Sequence, residues 1–177
     1  MTLLYKLTDI NGRTRGGMRW GPGVTHSGTG EGKLCSEGWI HAYTHPLLAV
    51  LLNPIHADFV EPRLWEAEGT VAIEDHGLKV GCKTLTTVRE IPVPTVTLEQ
   101  RVRFGILCAR DVCQEPQWRA WSDRWLSGED RSEKSATAAY AAYAADAAAR
   151  AAAAARAAAA VRAVSPNLIA LAQEACA

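Results

Sequence analysis

The sequence lacks net charge and long apolar runs, and we expect no secretory leader. Its 177 residues carry 19 basic and 19 acidic side chains, which excludes a disordered polyelectrolyte and a basic nucleic-acid-coating protein. The longest apolar run of the first 135 residues lies between Pro46 and Pro54 and is too short to span a bilayer. We therefore expect a cytoplasmic protein that binds neither a membrane nor a specific nucleic acid.

Paired cysteines and cofactor motifs are also missing. The five cysteines are an odd number with no Cys-x-x-Cys pair, which is typical of reduced thiols in a cytoplasm. Cys35, His41 and His45 match no known zinc-ligand spacing, so we expect no metal site. The sequence has neither a phosphate loop nor a G-x-S-x-G nucleophile elbow. We expect no cofactor.

The alanine distribution divides the chain. Residues 1–135 contain 7 alanines, whereas residues 136–163 contain 20. Alanine buries too little area to build a second globular core, but it has the highest helix propensity. We therefore predict an α+β globular domain over 1–128, a charged linker over 129–135, and an Ala-rich helical appendage over 136–177 with a break at 165–166.

Periodicity predicts the elements of the domain. Alternating or β-rich segments favour strands over 3–8, 38–43 and 64–74, and one or two strands over 78–91, in a small mixed or antiparallel sheet. A Pro-started apolar segment predicts a short helix over 47–52. A capping box formed by Thr97 and Gln100 predicts a helix that ends near residue 113. Between the first two strands, residues 11–38 hold nine glycines and are predicted to form a long loop.

Two aromatic groups stand out. Trp118, Trp121 and Trp125 form one stripe on a predicted helix that Gly128 ends. Such a stripe can stack bases or sugars, but we favour a structural role, either as core or as a docking surface for another element. The expected partner is the long Ala-rich helix, which would pack on its own domain or on another subunit. We expect homo-oligomers to form through residues 136–177.

The second aromatic group surrounds His41. Trp39 and Tyr43 share its strand face, and the Gly-rich segment with Trp20 precedes it, so a pocket wall is predicted here. On a later strand, Glu66 and Glu68 share one face. Paired carboxylates serve either acid–base chemistry or a solvated outer face of the sheet, and we favour the solvated face.

The order of these segments resembles an uncharacterised family of bacteriophage and prophage proteins. That family shares a C-x-x-G-hydrophobic-hydrophobic-H-A core, which stands here as Cys35-Ser36-Glu37-Gly38-Trp39-Ile40-His41-Ala42, and an Ala/Arg-rich C-terminal tail. The resemblance implies a phage or mobile-element origin, and hence the host cytoplasm as location. It transfers no activity.

A fainter resemblance is to ADP-ribosyltransferase-like folds. It implies that Tyr5 matches the residue on their first strand, the His41–Tyr43 segment the second position, and Glu66, Glu68 or Glu99 the carboxylate. The catalytic candidates that follow are Tyr5, His41, Glu66 and Glu68. The expected ligand-binding residues are Tyr5, Lys6, Trp20, Trp39, His41 and Tyr43.

Three functions remain as hypotheses. The first is a non-enzymatic binding module that captures a small nucleotide-like host ligand or a host defence protein, in a counter-defence role. The second is an NAD-dependent ADP-ribosyltransferase-like enzyme. The third is a structural or assembly protein that oligomerises through the Ala-rich helix. We favour the binding module.

Overall fold

A computed structural model describes residues 2–138 and 167–177 of the chain. The chain forms two compact units, Met1–Arg101 with Ser165–Ala177, and Val102–Val164. The first unit holds an antiparallel sheet with short helices, and the second is helical over its described residues. The expected α+β class is confirmed. The units divide near Arg101, within a helix, whereas the sequence suggested a boundary at 128.

Five strands build the sheet of the first unit. In chain order they are β1 (Thr2–Thr8), β2 (Thr25–Ser27), β3 (Ile40–Ala42), β4 (Arg63–Glu74) and β5 (Val80–Ile91). The spatial order is β1-β4-β5-β2, and β3 also pairs with β5. Every pairing is antiparallel.

The β4–β5 hairpin is the centre of the sheet. Trp65 and Ala67 alternate with less buried residues along β4, as expected from the period of two. His76 and Gly77 turn the chain with positive φ angles of 44° and 80°, the region that favours glycine. The predicted hairpin is therefore confirmed, and its return segment forms one strand.

The segment around β3 pairs with β5 and, one residue later, with the edge strand β1. Ile40 lies opposite Cys82 of β5, and Ala42 lies opposite Val80. One residue later, Tyr43 exchanges two backbone hydrogen bonds with Tyr5 of β1, at 2.8 and 2.9 Å. The sheet therefore curls, and β1 lies beside β3 although the two strands are far apart in the sequence. Leu4, Ile40 and Leu85 are buried together in its core.

The Gly-rich segment contains the strand β2, which the sequence analysis missed. Thr25 and Ser27 pair with Thr86 and Thr84 of β5. Beyond β2, the Gly30 amide donates to the Gly38 carbonyl at 2.8 Å. A Cβ atom at Gly38 would overlap the Glu31 carbonyl oxygen. Glycine is required because two backbone segments touch here.

Five helices are the other named elements of the described residues. Their ranges are α1 (Pro46–Leu51), α2 (Asn53–His56), α3 (Leu98–Val112), α4 (Pro116–Ser127) and α5 (Leu168–Cys176). The capping box at the start of α3 is confirmed, since the Thr97 amide donates to Gln100 Oε1 at 2.8 Å and the Gln100 amide donates to Thr97 Oγ1 at 3.2 Å. Residues 133–138 are also helical, so helix begins inside the predicted linker.

The tryptophan stripe lies in the second unit. Trp118 and Trp125 are buried with Ile106 and Cys113, and Trp121 packs against this group. The ring centroids of Trp118 and Trp121 are 5.8 Å apart. The stripe is therefore largely core. The Ala-rich helix that we expected to dock on it falls mainly within residues 139–166, outside the described residues, as does the predicted break at 165–166.

The C-terminal helix α5 belongs to the first unit. Leu168, Ala172 and Ala175 are buried, and Cys176 accepts a hydrogen bond from Gln100 Nε2 at 3.2 Å. The described end of the predicted appendage therefore packs on its own domain. Within residues 2–138 and 167–177, no helix is long and apolar enough to span a membrane.

The close approach of the Glu31 carbonyl to Gly38 predicts that adding one methyl group at this position destabilises the folded protein. Gly38→Ala should lower the free energy of unfolding by about 1–3 kcal/mol, because the Glu31 carbonyl must move. Urea denaturation measures the change. Gly16→Ala is the matched control, since a Cβ atom at Gly16 meets nothing within 4 Å. Equal midpoints for the two variants would contradict the close approach.

Candidate functional site

A cavity of about 440 Å³ opens beside the joint between β1 and β3. Four parts of the first unit supply its wall: β1, the turn around Gly16, the segment from Ser36 to Tyr43, and the end of α2 with the residues that follow it. Lys79, beside the β4–β5 turn, completes the wall. The cavity lies within the usual range of small-molecule sites, about 300–1,000 Å³.

Lys6 is a buried cation in this wall. Its side chain leaves β1 and is 8% exposed. The ammonium donates to the His41 carbonyl oxygen at 2.5 Å and lies 5.0 Å from the ring centroid of Trp20. In the described part of the chain, no carboxylate forms an ion pair with it. A buried ammonium with one carbonyl acceptor and an aromatic face retains unused hydrogen-bonding capacity.

Burial lowers the pKa of Lys6 from 10.5 to about 8, although the nearby Cys82 opposes part of this shift. Removing the ammonium from water disfavours its charged form, and among the described residues no carboxylate compensates. The side chain therefore changes charge close to neutral pH. Strongly shifted ionisable groups in a cavity are typical of functional sites.

His41 lies beside Lys6 and is held in one orientation. Its Nε2 atom is hydrogen-bonded to the Leu34 carbonyl, so Nε2 is the donor. Burial lowers its pKa, the Leu34 hydrogen bond opposes that shift, and the charges of Lys79 and Lys6 lower the pKa further. The imidazole is therefore neutral at pH 7, and Nδ1 is left as an acceptor.

Tyr43 and His56 form the aromatic side of the cavity. Their rings stack with centroids 5.9 Å apart, and the Tyr43 hydroxyl is 3.1 Å from His56 Nδ1. Burial raises the pKa of Tyr43 to about 12 and lowers that of His56. Both side chains are therefore neutral at pH 7 and act as hydrogen-bonding groups with flat apolar faces.

Asn53 fixes the segment that carries this aromatic side. Its side-chain amide donates to the Phe59 carbonyl at 2.9 Å, and its carbonyl accepts from the Phe59 amide at 3.1 Å. The buried side chain thus replaces a backbone partner. His56 and Phe59, which both line the cavity, are held at the two sides of this turn.

The opposite side of the cavity combines an indole with charged residues. Trp39 Nε1 donates to the Gly32 carbonyl at 3.0 Å, which fixes the ring against the Gly-rich segment. Arg15, Lys79 and Glu37 also line the cavity. With Lys6 charged and both histidines neutral, the lining carries three positive charges and one negative charge. An excess of positive charge in a concave site attracts anions.

The structure brings together four of the six residues that the sequence suggested for ligand binding. Lys6, Trp39, His41 and Tyr43 line the cavity. Tyr5 joins β1 to Tyr43 through its backbone, and its side chain is not part of the lining. Trp20 is buried in the core below Lys6.

The carboxylates suggested for catalysis lie elsewhere. Glu66 forms a bidentate ion pair with Arg89, at 2.6 and 2.7 Å. Glu68 is exposed on β4, and neither residue lines the cavity. This arrangement agrees with the solvated outer face, since pairing with Arg89 gives Glu66 a structural partner.

Sequence reasoning missed Arg15, His56 and Lys79. Each lies outside the aromatic segment around His41 and carries no local motif. Lys79 follows the predicted hairpin turn, but only the pairing of β3 with β5 brings that turn to the cavity. This pairing has no signal in the sequence, because β3 is three residues long.

Residues 2–138 and 167–177 contain no group of three or more metal-ligating side chains. His45 instead caps α1, accepting from the Leu47 amide at 3.2 Å, and Cys35 is exposed.

The chain matches no family model, and no curated protein or solved structure matches it. The chemistry of the cavity is therefore the basis for a functional conclusion. Its cations and aromatic faces can hold an anionic, ring-bearing small molecule, with His41 Nδ1 as a neutral acceptor.

The burial of Lys6 predicts a pH-dependent stability. Its pKa is lower in the folded protein than in the unfolded chain, so the unfolded chain binds more protons between pH 8 and 10.5. The free energy of unfolding should rise over this window by roughly 3 kcal/mol relative to Lys6→Met. Urea denaturation of both proteins from pH 7 to 10.5 measures the difference.

Lys83→Met is the matched control for this measurement. Lys83 is exposed on β5, so its replacement should leave the pH dependence of the wild-type protein unchanged. Parallel curves for the wild type and Lys6→Met would show that Lys6 keeps an ordinary pKa in the folded protein.

Proposed function

We propose that this protein is a binding module whose cavity holds a nucleotide-like small molecule. One observation carries the proposal: aromatic faces and an excess of positive charge line the same cavity of about 440 Å³. A nucleotide presents the complementary pair, a flat base and an anionic phosphate. No catalytic step is needed for such a role.

The aromatic residues support the base half of this proposal. Trp39 and Tyr43 are both fixed, the first by its bond to Gly32 and the second by its contact with His56. Fixed rings lose little conformational freedom when a ligand stacks on them. Stacking of a base on an aromatic side chain contributes about 1–3 kcal/mol and tolerates different bases. The apolar side chains of Met18 and Phe59 extend this part of the wall.

The cations support the anionic half. Lys6, Arg15 and Lys79 line the cavity, against Glu37 as the one carboxylate of the lining. Because Lys6 has no ion-pair partner in the described residues, a bound anion would satisfy a buried charge that the free protein leaves unpaired. Binding energy is then gained where the protein itself carries an electrostatic cost.

The same cavity suits the counter-defence role expected from the phage resemblance. A protein that sequesters a nucleotide-like host signal needs an enclosed, complementary site and no turnover. The transferase hypothesis places Glu66, Glu68 or Glu99 at the reacting centre, and none of the three lines the cavity. The carboxylate that does line it, Glu37, is not a position that the resemblance assigns to catalysis. We therefore place binding first.

A ligand panel tests the proposal. Cyclic nucleotides, NAD and ADP-ribose should be compared by thermal shift and calorimetry on the full chain. We expect at least one to bind, and Lys79→Gln to weaken it about 10-fold through loss of a charge-assisted contact. Lys83→Gln makes the same charge change on exposed β5, outside the cavity lining, and should leave affinity unchanged.

Two results would contradict this proposal. Failure of every member of the panel to bind would remove the nucleotide-like ligand. Release of nicotinamide from NAD by the protein would instead support the transferase.

A further inference from the structure

Lys6 and Lys79 line the cavity from different elements of the first unit. Lys6 bonds to the backbone of His41, and the charges of Lys6 and Lys79 both act on the His41 ring. All three residues line the cavity. Two cations beside one neutral acceptor form a local concentration of positive charge within the larger site.

We propose that a phosphoryl group of the ligand binds between Lys6 and Lys79 beside His41, and that its arrival brings a proton to Lys6. This inference rests on the proposed function and locates the anionic half of the ligand. The ligand class is a phosphorylated nucleoside, and a nucleoside without phosphate should bind poorly.

The groups around Lys6 explain why an arriving phosphoryl group would cause this lysine to take up a proton. The groups around it are the Cys82 thiol on β5, the His41 carbonyl on β3 and the Trp20 ring. The more distant ionisable groups of the cavity region are Arg15 before β2, Glu37 before β3, His56 on α2, and Asp75 and Lys79 at the β4–β5 turn. In the described residues neither of the two carboxylates, Glu37 and Asp75, forms an ion pair with Lys6. A dianion placed here favours the ammonium form, so binding raises the pKa of Lys6 above about 8 and takes up a proton.

Calorimetry at pH 8 measures this uptake. Titrations of AMP and adenosine into the full chain, repeated in buffers of different ionisation enthalpy, give the number of protons bound. At pH 8 the phosphate of AMP is already a dianion, because its second pKa is about 6. Proton uptake therefore reports on the protein. We expect roughly half a proton per AMP, since half of Lys6 is neutral there.

Two variants separate the contributions. Lys6→Met should lower AMP affinity about 10- to 100-fold and abolish proton uptake, because the titrating amine is gone. Lys79→Gln should also weaken AMP but retain the uptake, since Lys6 is intact. Lys83→Gln should change neither quantity. If Lys6→Met fails to fold, two measurements still test the phosphoryl site. They are the proton uptake of the wild-type protein on binding AMP, and the AMP affinity and proton uptake of Lys79→Gln.

The outcomes distinguish this inference from the proposed function. AMP that binds at least 10-fold more tightly than adenosine, with uptake that depends on Lys6, supports the phosphoryl site. Equal affinity for adenosine and AMP, or AMP binding without proton uptake, overturns the phosphoryl site and leaves a nucleoside-binding cavity. If neither AMP nor adenosine binds and the nucleotide panel also fails, both proposals are overturned.

Discussion

The paired backbone of Tyr5 and Tyr43 is the constraint on which the first unit depends. Two hydrogen bonds, at 2.8 and 2.9 Å, hold β1 against the end of β3, while β3 itself pairs with β5. A sheet that was open at this point would leave Lys6 on an edge strand, in water. Because the sheet curls, Lys6 is buried beside the His41 backbone, and both residues line the cavity.

The burial of Lys6 and the pKa of its ammonium group therefore both depend on the curled sheet. A lysine on an open strand keeps its ordinary pKa and contributes little to recognition, whereas the same side chain inside the curled sheet is electrostatically costly to the free protein. The surroundings of the cavity are held by specific contacts. Asn53 fixes the segment that carries His56. Gly28 and Gly38 allow two backbone segments to touch next to Trp39. The fold thus keeps a buried ammonium that has no ion-pair partner among the described residues.

Local signals in the sequence predicted local structure well. Thr97 with Gln100, and Gly128 after α4, mark helix ends because caps act within one turn. The period of two along β4 identified its buried face. The sequence did not indicate β2, which is three residues long and lies among glycines, or the Tyr5–Tyr43 pairing, which joins segments 38 residues apart. Neighbouring side chains of a strand point to opposite faces, but this rule did not locate the cavity, because the adjacent β1 residues Lys6 and Leu7 both line it.

The position of α5 has a consequence for the order in which the two units fold during translation. Gln173 of α5 lies 3.5 Å from His45, its neighbour in space but 128 positions earlier in the sequence. All of the second unit is synthesised between these two residues. During translation the first unit therefore stays without one of its packing elements while the tryptophan-rich helices emerge. Contacts of such long sequence separation form late and slow folding. The order of synthesis thus favours a second unit that completes its core before the first one does.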